Sequence, residues 1–230
     1  MPNLKGKRVL ITGGSSRVGR NIILSLENKG VLVVPHYNKT SISGGIKGAI
    51  ENVKDIQNVV QKTVKKLGGL DILINNAAVF YKTPLNKVTV KEWDDLININ
   101  LRAAFFFSKF AAPFLKKSAA GQIISIADTY GVSPAVGYVP YGISKAGIIA
   151  MTIGLAKELA PDVLVNCVCP GVINIDVRSK KQKARSKKAL KATLLKRLVE
   201  IEDVVNTVLF LATNNSITGQ AIFVDSGKHV

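Results

Sequence analysis

Short apolar runs alternate with amphipathic stretches along the whole of this 230-residue chain. A fully apolar run such as Val31–Val34 is typical of a strand buried on both faces of a parallel sheet. The alternation predicts an α/β protein with a Rossmann-type doubly wound parallel sheet of about seven strands and helices on both faces. The predicted strands are Val9–Thr12, Val31–His36, Gly48–Glu51, Asp71–Asn75, Gln122–Ile126, Val163–Val168 and Ala221–Asp225, and the predicted helices are Arg20–Lys29, Lys54–Leu67, Lys91–Lys116, Tyr138–Ala160 and Ile201–Ala212.

One connection in this pattern is unusually short. Residues 41–47, SISGGIK, separate the second and third predicted strands, which leaves no room for a crossover helix. We expect a tight loop there. The rest of the chain contains no interdomain linker, so we expect one domain, residues 1–230.

Composition indicates which kinds of ligand and partner the protein favours. The chain has 32 Lys and Arg against 15 Asp and Glu, a net charge of +17, which favours phosphorylated cofactors, thioester carriers, nucleic acid or another acidic surface. Cys167 and Cys169 alternate within an apolar run, which predicts buried thiols on one strand face and no metal site. Basic residues interrupt the N-terminal segment and no run of about 18 apolar residues occurs, so we expect a soluble, cytoplasmic protein without a membrane partner.

A glycine-rich turn follows the first strand in the segment Arg8–Gly19, RVLITGGSSRVG. A strand that reopens as a helix leaves backbone N–H groups pointing at the turn, where they and the helix dipole can hold a pyrophosphate. The turn predicts a dinucleotide site. Its expected cofactor-binding residues are Gly13, Ser15, Ser16, Arg17, Val18 and Gly19.

The end of the second strand indicates which dinucleotide. An acidic residue there would bind the ribose 2′-hydroxyl of NAD(H) and repel the 2′-phosphate of NADP(H). The chain instead has Tyr37, Asn38, Lys39 and Thr40, and Arg17 lies in the turn. NADP(H) is therefore favoured over NAD(H).

Two asparagine-containing segments are further candidates. The fourth strand ends in Asn75-Asn76-Ala77-Ala78, where small side chains allow a flat ring and ribose to approach, so Asn76, Ala77 and Ala78 are expected to contact cofactor. Asn100 lies in the apolar segment LININLRAAFFF and needs buried partners, either structural or catalytic.

The predicted chemistry centres on Tyr141 and Lys145. At spacing i, i+4 both side chains project from one helical face, and an ammonium near a phenol stabilises phenolate. Such a tyrosine can donate a proton near neutral pH. Both residues are also expected to contact the cofactor.

These motifs, in this order and spacing, resemble the short-chain dehydrogenase/reductase family over essentially the whole chain. The resemblance implies the family's fold and its cofactor-bound hydride chemistry. It also implies roles: Tyr141 donates the proton, Lys145 holds the nicotinamide ribose and Asn100 supports a water relay. The segment after the sixth strand, Pro170, Gly171, Val172 and Ile173, is expected to touch the cofactor.

Two departures from the family pattern resemble the pteridine reductase branch. Arg17 replaces the middle glycine of T-G-x-x-x-G-x-G, and Asp128 stands 13 residues before Tyr141, where the family usually has serine. In that branch the matched Arg and Asp face both substrate and cofactor. The resemblance implies a substrate site formed by Arg17, Phe80, Asp128 and Tyr141.

Asp128 bears on the reaction. Reduction of a C=N bond requires a proton on nitrogen, which a carboxylic acid beside Tyr141 can relay, whereas a carboxylate opposes a developing alkoxide. A protonated Asp could also donate to a carbonyl oxygen, as serine does. Asp128 favours an imine-like substrate without excluding a ketone.

A basic segment follows the sixth strand. The family uses this region, about residues 172–197 here, as a substrate lid whose closure excludes water. It is crowded with basic residues, which suit a phosphopantetheine carrier, coenzyme A or another polyanion: Arg178, Lys180, Lys181, Lys183, Arg185, Lys187 and Lys188.

The sequence therefore predicts an NADP(H)-dependent short-chain reductase of a C=N or C=O substrate, pteridine reductase-like. The first alternative is a 3-oxoacyl-(acyl-carrier-protein) or acetoacetyl-CoA reductase. A non-catalytic cofactor-binding protein is a further alternative, which the intact Tyr141, Lys145 and Asn100 disfavour. A nucleic-acid-binding protein is another, which is disfavoured because no aromatic-interleaved basic surface or recognition motif accompanies the charge. We expect a small-molecule substrate, anionic or carrier-bound. The apolar stretches Phe105–Phe107 and Ile148–Leu155 are consistent with a homodimer or homotetramer.

Overall fold

The computed structural model describes residues 4–174, 186–187 and 189–230. It contains one seven-stranded sheet of order β3-β2-β1-β4-β5-β6-β7, in which every neighbouring pair is parallel. The Rossmann-type sheet predicted from the sequence is thereby confirmed. The strands are β1 (Arg8–Ile11), β2 (Leu32–Tyr37), β3 (Ile46–Lys47), β4 (Ile72–Asn75), β5 (Gly121–Ile126), β6 (Val163–Pro170) and β7 (Ala221–Val224).

Helices cover both faces of the sheet. One apolar core joins alternate strand residues such as Leu10 to α2, α4 and α5, and a second joins residues such as Ile11 to α1 and α6. Successive residues of β1 thus point into different cores, which explains why Val9, Leu10 and Ile11 are all apolar. The main helices are α1 (Arg17–Glu27), α2 (Val53–Leu67), α3 (Val90–Ile97), α4 (Ala103–Leu115), α5 (Val139–Leu159) and α6 (Ile201–Ala212).

The third strand corrects the sequence prediction. Gly48–Glu51 is not a strand; β3 consists of only two residues, which pair with His36 and Tyr37 of β2. The carbonyl of Gly48 accepts a 3.0 Å hydrogen bond from His36 Nε2, so the chain leaves the sheet at that point. The prediction of a short connection without a crossover helix is correct.

Helix boundaries differ from prediction in two places. The expected continuous helix Lys91–Lys116 is divided into α3 and α4 by a π-helical turn, Asn98–Arg102. Helix α1 begins at Arg17 rather than Arg20, because the Ser16 hydroxyl accepts a 3.0 Å hydrogen bond from Gly19 N and caps the helix.

An ion pair fixes the amino-terminal edge of the sheet. Arg8 Nη2 lies 2.8 Å from Asp71 Oδ1, which also accepts a 2.6 Å hydrogen bond from the Ser118 hydroxyl. Burial raises the pKa of Asp71, but the hydrogen bonds from Arg8 and Ser118 outweigh it and lower the pKa to about 2. The charged residues at this edge therefore stabilise the fold and are not part of the candidate site.

The carboxyl-terminal edge holds the candidate functional residues. Because β1 lies between β2 and β4, the strand order reverses beside it, and ligands of open α/β sheets bind at such a switch point. The loops after β1, β2, β4, β5 and β6 all emerge there. Every predicted site segment of the described chain therefore meets at one edge.

Helix α5 packs against β6. In the described part of the chain it is the single helix long and apolar enough to span a membrane by length and composition. Half of its most apolar stretch is buried inside the protein, which is the situation of a core helix. Its buried residues include Tyr141 and Lys145.

Candidate active site

The glycine turn after β1 packs directly against the end of β4. Gly13 has φ of 64°, and a Cβ there would lie 2.7 Å from the Ala77 Cα. A Cβ on Gly19 would meet the Gly13 carbonyl oxygen at 2.6 Å. Any side chain at either position would therefore disrupt this turn.

Asn76 holds the turn in place. Its side-chain Nδ2 donates to the carbonyls of Thr12 and Gly13, at 2.9 and 3.0 Å, and to the Ser16 hydroxyl at 3.1 Å. The Thr12 hydroxyl accepts the backbone N–H groups of Asn76 and Ala77, both at 3.0 Å. Asn76 therefore positions the turn through its side chain.

The segment that follows β2 borders the same turn. Gly14 N donates to the His36 carbonyl at 2.9 Å, which places the following residues beside the turn. Tyr37 and Asn38 are half-buried, whereas their neighbours Lys39 and Thr40 are exposed. On the turn itself, the exposed or half-buried residues are Gly13, Ser15, Ser16, Arg17 and Val18.

These features fit a dinucleotide. The turn approaches Ala77 too closely for a side chain at Gly13. The surface between the turn and the end of β4 therefore consists of backbone and the small, exposed side chain of Ala78. The exposed Lys39 at the neighbouring strand end supplies a cation without a nearby acid in the segment 37–40. The residues present can hold a pyrophosphate at the turn and a 2′-phosphate beside β2.

The structure brings Tyr141 and Asp128 together. The Tyr141 hydroxyl donates a 2.8 Å hydrogen bond to Asp128 Oδ2. Asp128 caps the short 3₁₀ turn Thr129–Gly131, where its other carboxyl oxygen accepts from Tyr130 N at 2.8 Å. One oxygen thus anchors the carboxyl group and the other faces the phenol.

Lys145 lies below this pair. Its ammonium donates a 2.7 Å hydrogen bond to the Ile126 carbonyl and lies 5.8 Å from the centre of the Tyr141 ring. The residue is 3% exposed, and burial lowers the pKa of Lys145 although Asp128 opposes that shift. The ammonium is therefore fixed where its charge acts on the phenol and the carboxyl group together.

The Asn100 side chain binds the loop after β4 and helix α5. Its Oδ1 accepts from Val79 N at 2.8 Å, and its Nδ2 donates to the Val79 carbonyl at 3.0 Å and the Ser144 hydroxyl at 3.2 Å. The residue lies in the π-helical turn and is 2% exposed. Asn100 thus ties the loop after β4 to α5, and its amide is occupied by these partners.

Aromatic rings line the space beside the phenol. Phe80 is 38% exposed, stacks on Tyr138 at 5.0 Å and meets the Tyr141 ring edge-on at 4.7 Å. Tyr130 meets the Tyr141 ring edge-on at 6.0 Å. We call Phe80, Tyr130, Tyr138 and Tyr141 the aromatic cluster; its exposed member, Phe80, is the surface a flat ligand can contact.

The segment after β6 reaches the same edge. Gly171 N donates to the Val224 carbonyl at 2.9 Å, and Ile173 forms a parallel bridge with Val199. Pro170 is buried at the end of β6, and Val172 is half-buried. Six of the seven basic residues named for the predicted lid lie outside the described residues: Arg178, Lys180, Lys181, Lys183, Arg185 and Lys188.

Two residues near the site were not singled out from the sequence. His36 is buried in β2, and its Nδ1 accepts a 3.4 Å hydrogen bond from Gly13 N in the turn. Lys228 places its ammonium 4.9 Å from the centre of the Tyr130 ring. A histidine within an apolar strand was a signal for the first; nothing local signalled the second.

Comparison with known proteins identifies the class of protein. The family described as enoyl-(acyl carrier protein) reductase matches residues 22–229. The 3-oxoacyl-(acyl-carrier-protein) reductases FabG of Thermotoga maritima and Staphylococcus aureus are 34% and 31% identical, each over 97% of this chain and 98% of their own length. A short-chain dehydrogenase from Burkholderia cenocepacia, solved in complex with NADP, is 29% identical over the full length of both chains with a TM-score of 0.92.

The chain belongs to the short-chain dehydrogenase/reductase family and is an oxidoreductase. The family predicted from the glycine turn, the Asn-Asn-Ala-Ala segment and the Tyr141/Lys145 pair is thereby confirmed.

Proposed function

We propose that the protein is an NADP(H)-dependent reductase of a C=N bond in a flat, nitrogen-containing ring, in the manner of a pteridine reductase. The observation that carries this proposal is the 2.8 Å hydrogen bond between the Tyr141 hydroxyl and Asp128. A ketone requires hydrogen-bond donors at its oxygen as negative charge develops there. A carboxyl group at that place is better matched to a nitrogen that gains a proton.

The proton path follows from this geometry. Tyr141 gives its proton to the substrate nitrogen, and an Asp128 carboxylic acid returns one to the phenol oxygen across the 2.8 Å contact. Asp128 ends as a carboxylate near the buried Lys145 ammonium, which stabilises it electrostatically. Lys145 also favours the transient phenolate.

NADP(H), when bound, supplies the hydride. The glycine turn from Gly13 to Gly19 binds the pyrophosphate, and Lys39 with Thr40 binds the 2′-phosphate. Lys145 and the Pro170–Ile173 segment contact the nicotinamide half. The exposed face of Phe80 orients the substrate ring beside Tyr141.

A second function is the reduction of a 3-oxoacyl thioester on an acyl carrier protein or coenzyme A. Two observations favour it: the relatives named FabG, and the net charge of +17, which suits an acidic carrier or a phosphorylated thioester. In this function a protonated Asp128 donates to the carbonyl oxygen. The basic segment 172–197 then acts as a lid that attracts the carrier.

The protein also functions as a homo-oligomer in this proposal. Apolar side chains are exposed on α4 and α5, namely Phe105 at 43%, Ile143 at 43% and Ile153 at 45%. Burying them in a subunit interface removes them from water. Sedimentation of the purified protein measures the assembly, and a monomer at micromolar concentration contradicts it.

The experiment that separates the two functions is NADPH oxidation by the purified protein with 7,8-dihydrobiopterin and an acetoacetyl thioester offered in parallel. NADH serves as the cofactor control. Turnover of the dihydropterin supports C=N reduction. Turnover of the thioester alone assigns the second function, and the absence of both activities contradicts both substrate classes.

A further inference from the structure

A buried carboxylate organises the turn that follows β7. Asp225 Oδ1 accepts from Gly227 N at 3.0 Å, and Oδ2 accepts from the backbone N–H of His229 at 2.8 Å. The His229 ring also lies 2.8 Å from Oδ2 through Nδ1 and stacks on Phe223 with centroids 3.9 Å apart. Asp225 is 4% exposed, so residues 225–229 form a defined turn.

This turn carries Lys228 to the aromatic cluster. The Lys228 ammonium lies 4.9 Å from the centre of the Tyr130 ring, and that ring meets Tyr141 edge-on. The backbone of Lys228 is held by its N–H, which donates to the Asp225 carbonyl at 3.3 Å. Two ring contacts therefore separate a positioned positive charge from the phenol.

We propose that Lys228 is a specificity-determining residue that binds a carboxylate or phosphate group on the substrate. A substrate whose reacting bond lies at Tyr141 extends its substituents past neighbouring rings of the aromatic cluster. An ammonium over the Tyr130 ring favours an anionic substituent there over a neutral one. The cation–π contact with Tyr130 keeps the charge at this place before substrate arrives.

The inference rests on the proposed function only for the position of the reacting bond. It holds for either substrate class, because a carboxylated ring and a phosphorylated thioester both carry an anion. The competing role of Lys228 is purely structural: its contact with Tyr130 fastens the C-terminal turn and substrate charge is irrelevant to it.

Two matched pairs of substrates test this. The ring pair is 7,8-dihydrofolate, which has an anionic tail, and 7,8-dihydrobiopterin, which has a neutral one. The thioester pair is acetoacetyl-CoA and neutral acetoacetyl-N-acetylcysteamine. Steady-state kcat and KM are measured for wild type, Lys228→Met, Lys228→Arg and Lys62→Met, which removes an exposed charge on α2.

In whichever pair the enzyme reduces, we expect Lys228→Met to raise the KM for the anionic substrate about tenfold and to leave its kcat unchanged. The KM and kcat for the neutral substrate should not change. Lys228→Arg retains wild-type preference, and Lys62→Met behaves as wild type. Added salt at about 0.5 M shrinks the difference, since screening weakens the attraction. An equal effect on both members, or no effect, overturns the proposal and leaves a structural role.

The choice of pairs separates this inference from the proposed function. The pair that is reduced identifies the reaction, and the ratio within that pair tests Lys228. If neither pair is reduced, the proposed function fails, and equilibrium dialysis of folate against wild type and Lys228→Met decides the inference. Tenfold weaker folate binding by the variant supports it, and equal binding overturns it.

Discussion

The Tyr141 hydroxyl and the Asp128 carboxyl group form a 2.8 Å hydrogen bond between two separate elements, helix α5 and the turn after β5. The second Asp128 oxygen is held by Tyr130 N, so the carboxyl group cannot turn away from the phenol without losing its capping bond. The acid–phenol pair is therefore preorganised by the backbone rather than assembled by substrate.

Replacing Tyr141 by Phe removes the proton donor and keeps the ring that contacts Phe80. We expect kcat to fall by about 10²- to 10⁴-fold, the usual contribution of a positioned general acid. NADPH affinity, measured by quenching of protein fluorescence, should change little. Full activity in this variant would show that another group donates the proton.

Asp128→Ser restores the hydroxyl that the family usually has at this position. We expect C=N reduction to fall about 100-fold, since the second proton carrier is lost, and reduction of a ketone or thioester to rise. The matched control is Asp95→Ser, which removes another tyrosine–aspartate hydrogen bond, the 2.7 Å bond from Tyr81. A loss of both activities in Asp128→Ser, with Asp95→Ser unchanged, contradicts the assignment of Asp128 to C=N chemistry.

Gly13→Ala tests the cofactor turn. The alanine must adopt φ near 64° and places Cβ 2.7 Å from the Ala77 Cα, so the turn has to move. Gly68→Ala is the control, since Gly68 has φ of 71° and open space around it. Both variants should lose about 1 kcal/mol of folding free energy through left-handed strain, and Gly13→Ala more through the contact with Ala77. Only Gly13→Ala should weaken NADPH binding, by tenfold or more in a fluorescence titration; equal NADPH affinities in the two variants would argue against the turn as the cofactor site.

His36 predicts a pH dependence of cofactor binding. Burial lowers the pKa of His36 from its ordinary value of 6.5, although the hydrogen bond with Gly48 and the charge of Glu51 oppose the shift. The neutral ring accepts from Gly13 N at 3.4 Å and donates to the Gly48 carbonyl at 3.0 Å. Because the unfolded chain takes up the proton first, this contribution to stability is present above pH 6.5 and is lost as the pH falls through the lowered folded pKa.

The measurement is the melting temperature and NADPH dissociation constant of wild type and His36→Gln from pH 5 to 8. Wild type should lose both stability and NADPH affinity towards pH 5, since a protonated Nδ1 no longer accepts the Gly13 N–H. The Gln variant has no titrating ring and should show a flatter profile. Parallel profiles for the two proteins would exclude His36 as the titrating group.

The sheet was predictable because burial on both faces leaves a plain signal in the sequence, as in Ile72–Asn75 of β4, where every residue is buried. The two-residue strand β3 was placed wrongly at Gly48–Glu51 because so short an edge strand has no periodicity of its own. Its position depends on pairing with β2 and on the His36–Gly48 hydrogen bond, which are tertiary contacts.

In the candidate site, too, residues with a local sequence pattern were predicted, and residues placed by tertiary contacts were not. Tyr141 and Lys145 share a helical face, and their order with the other motifs identified them together with Asp128. The Asn100 contacts with Val79 and the position of Lys228 over Tyr130 join residues distant in sequence, so no local pattern reveals them.

The π-helical turn Asn98–Arg102 limits how this region can change during evolution. A π turn closes its backbone hydrogen bonds over five residues, as in the bond from Ala103 N to the Asn98 carbonyl, so deleting one residue here converts it to an α turn and leaves α3 and α4 nearly in place. Phe107 would then keep its place in the core, but Asn100 would lose its register with Val79. Relatives that keep this site can exchange residues in the segment but must conserve its length.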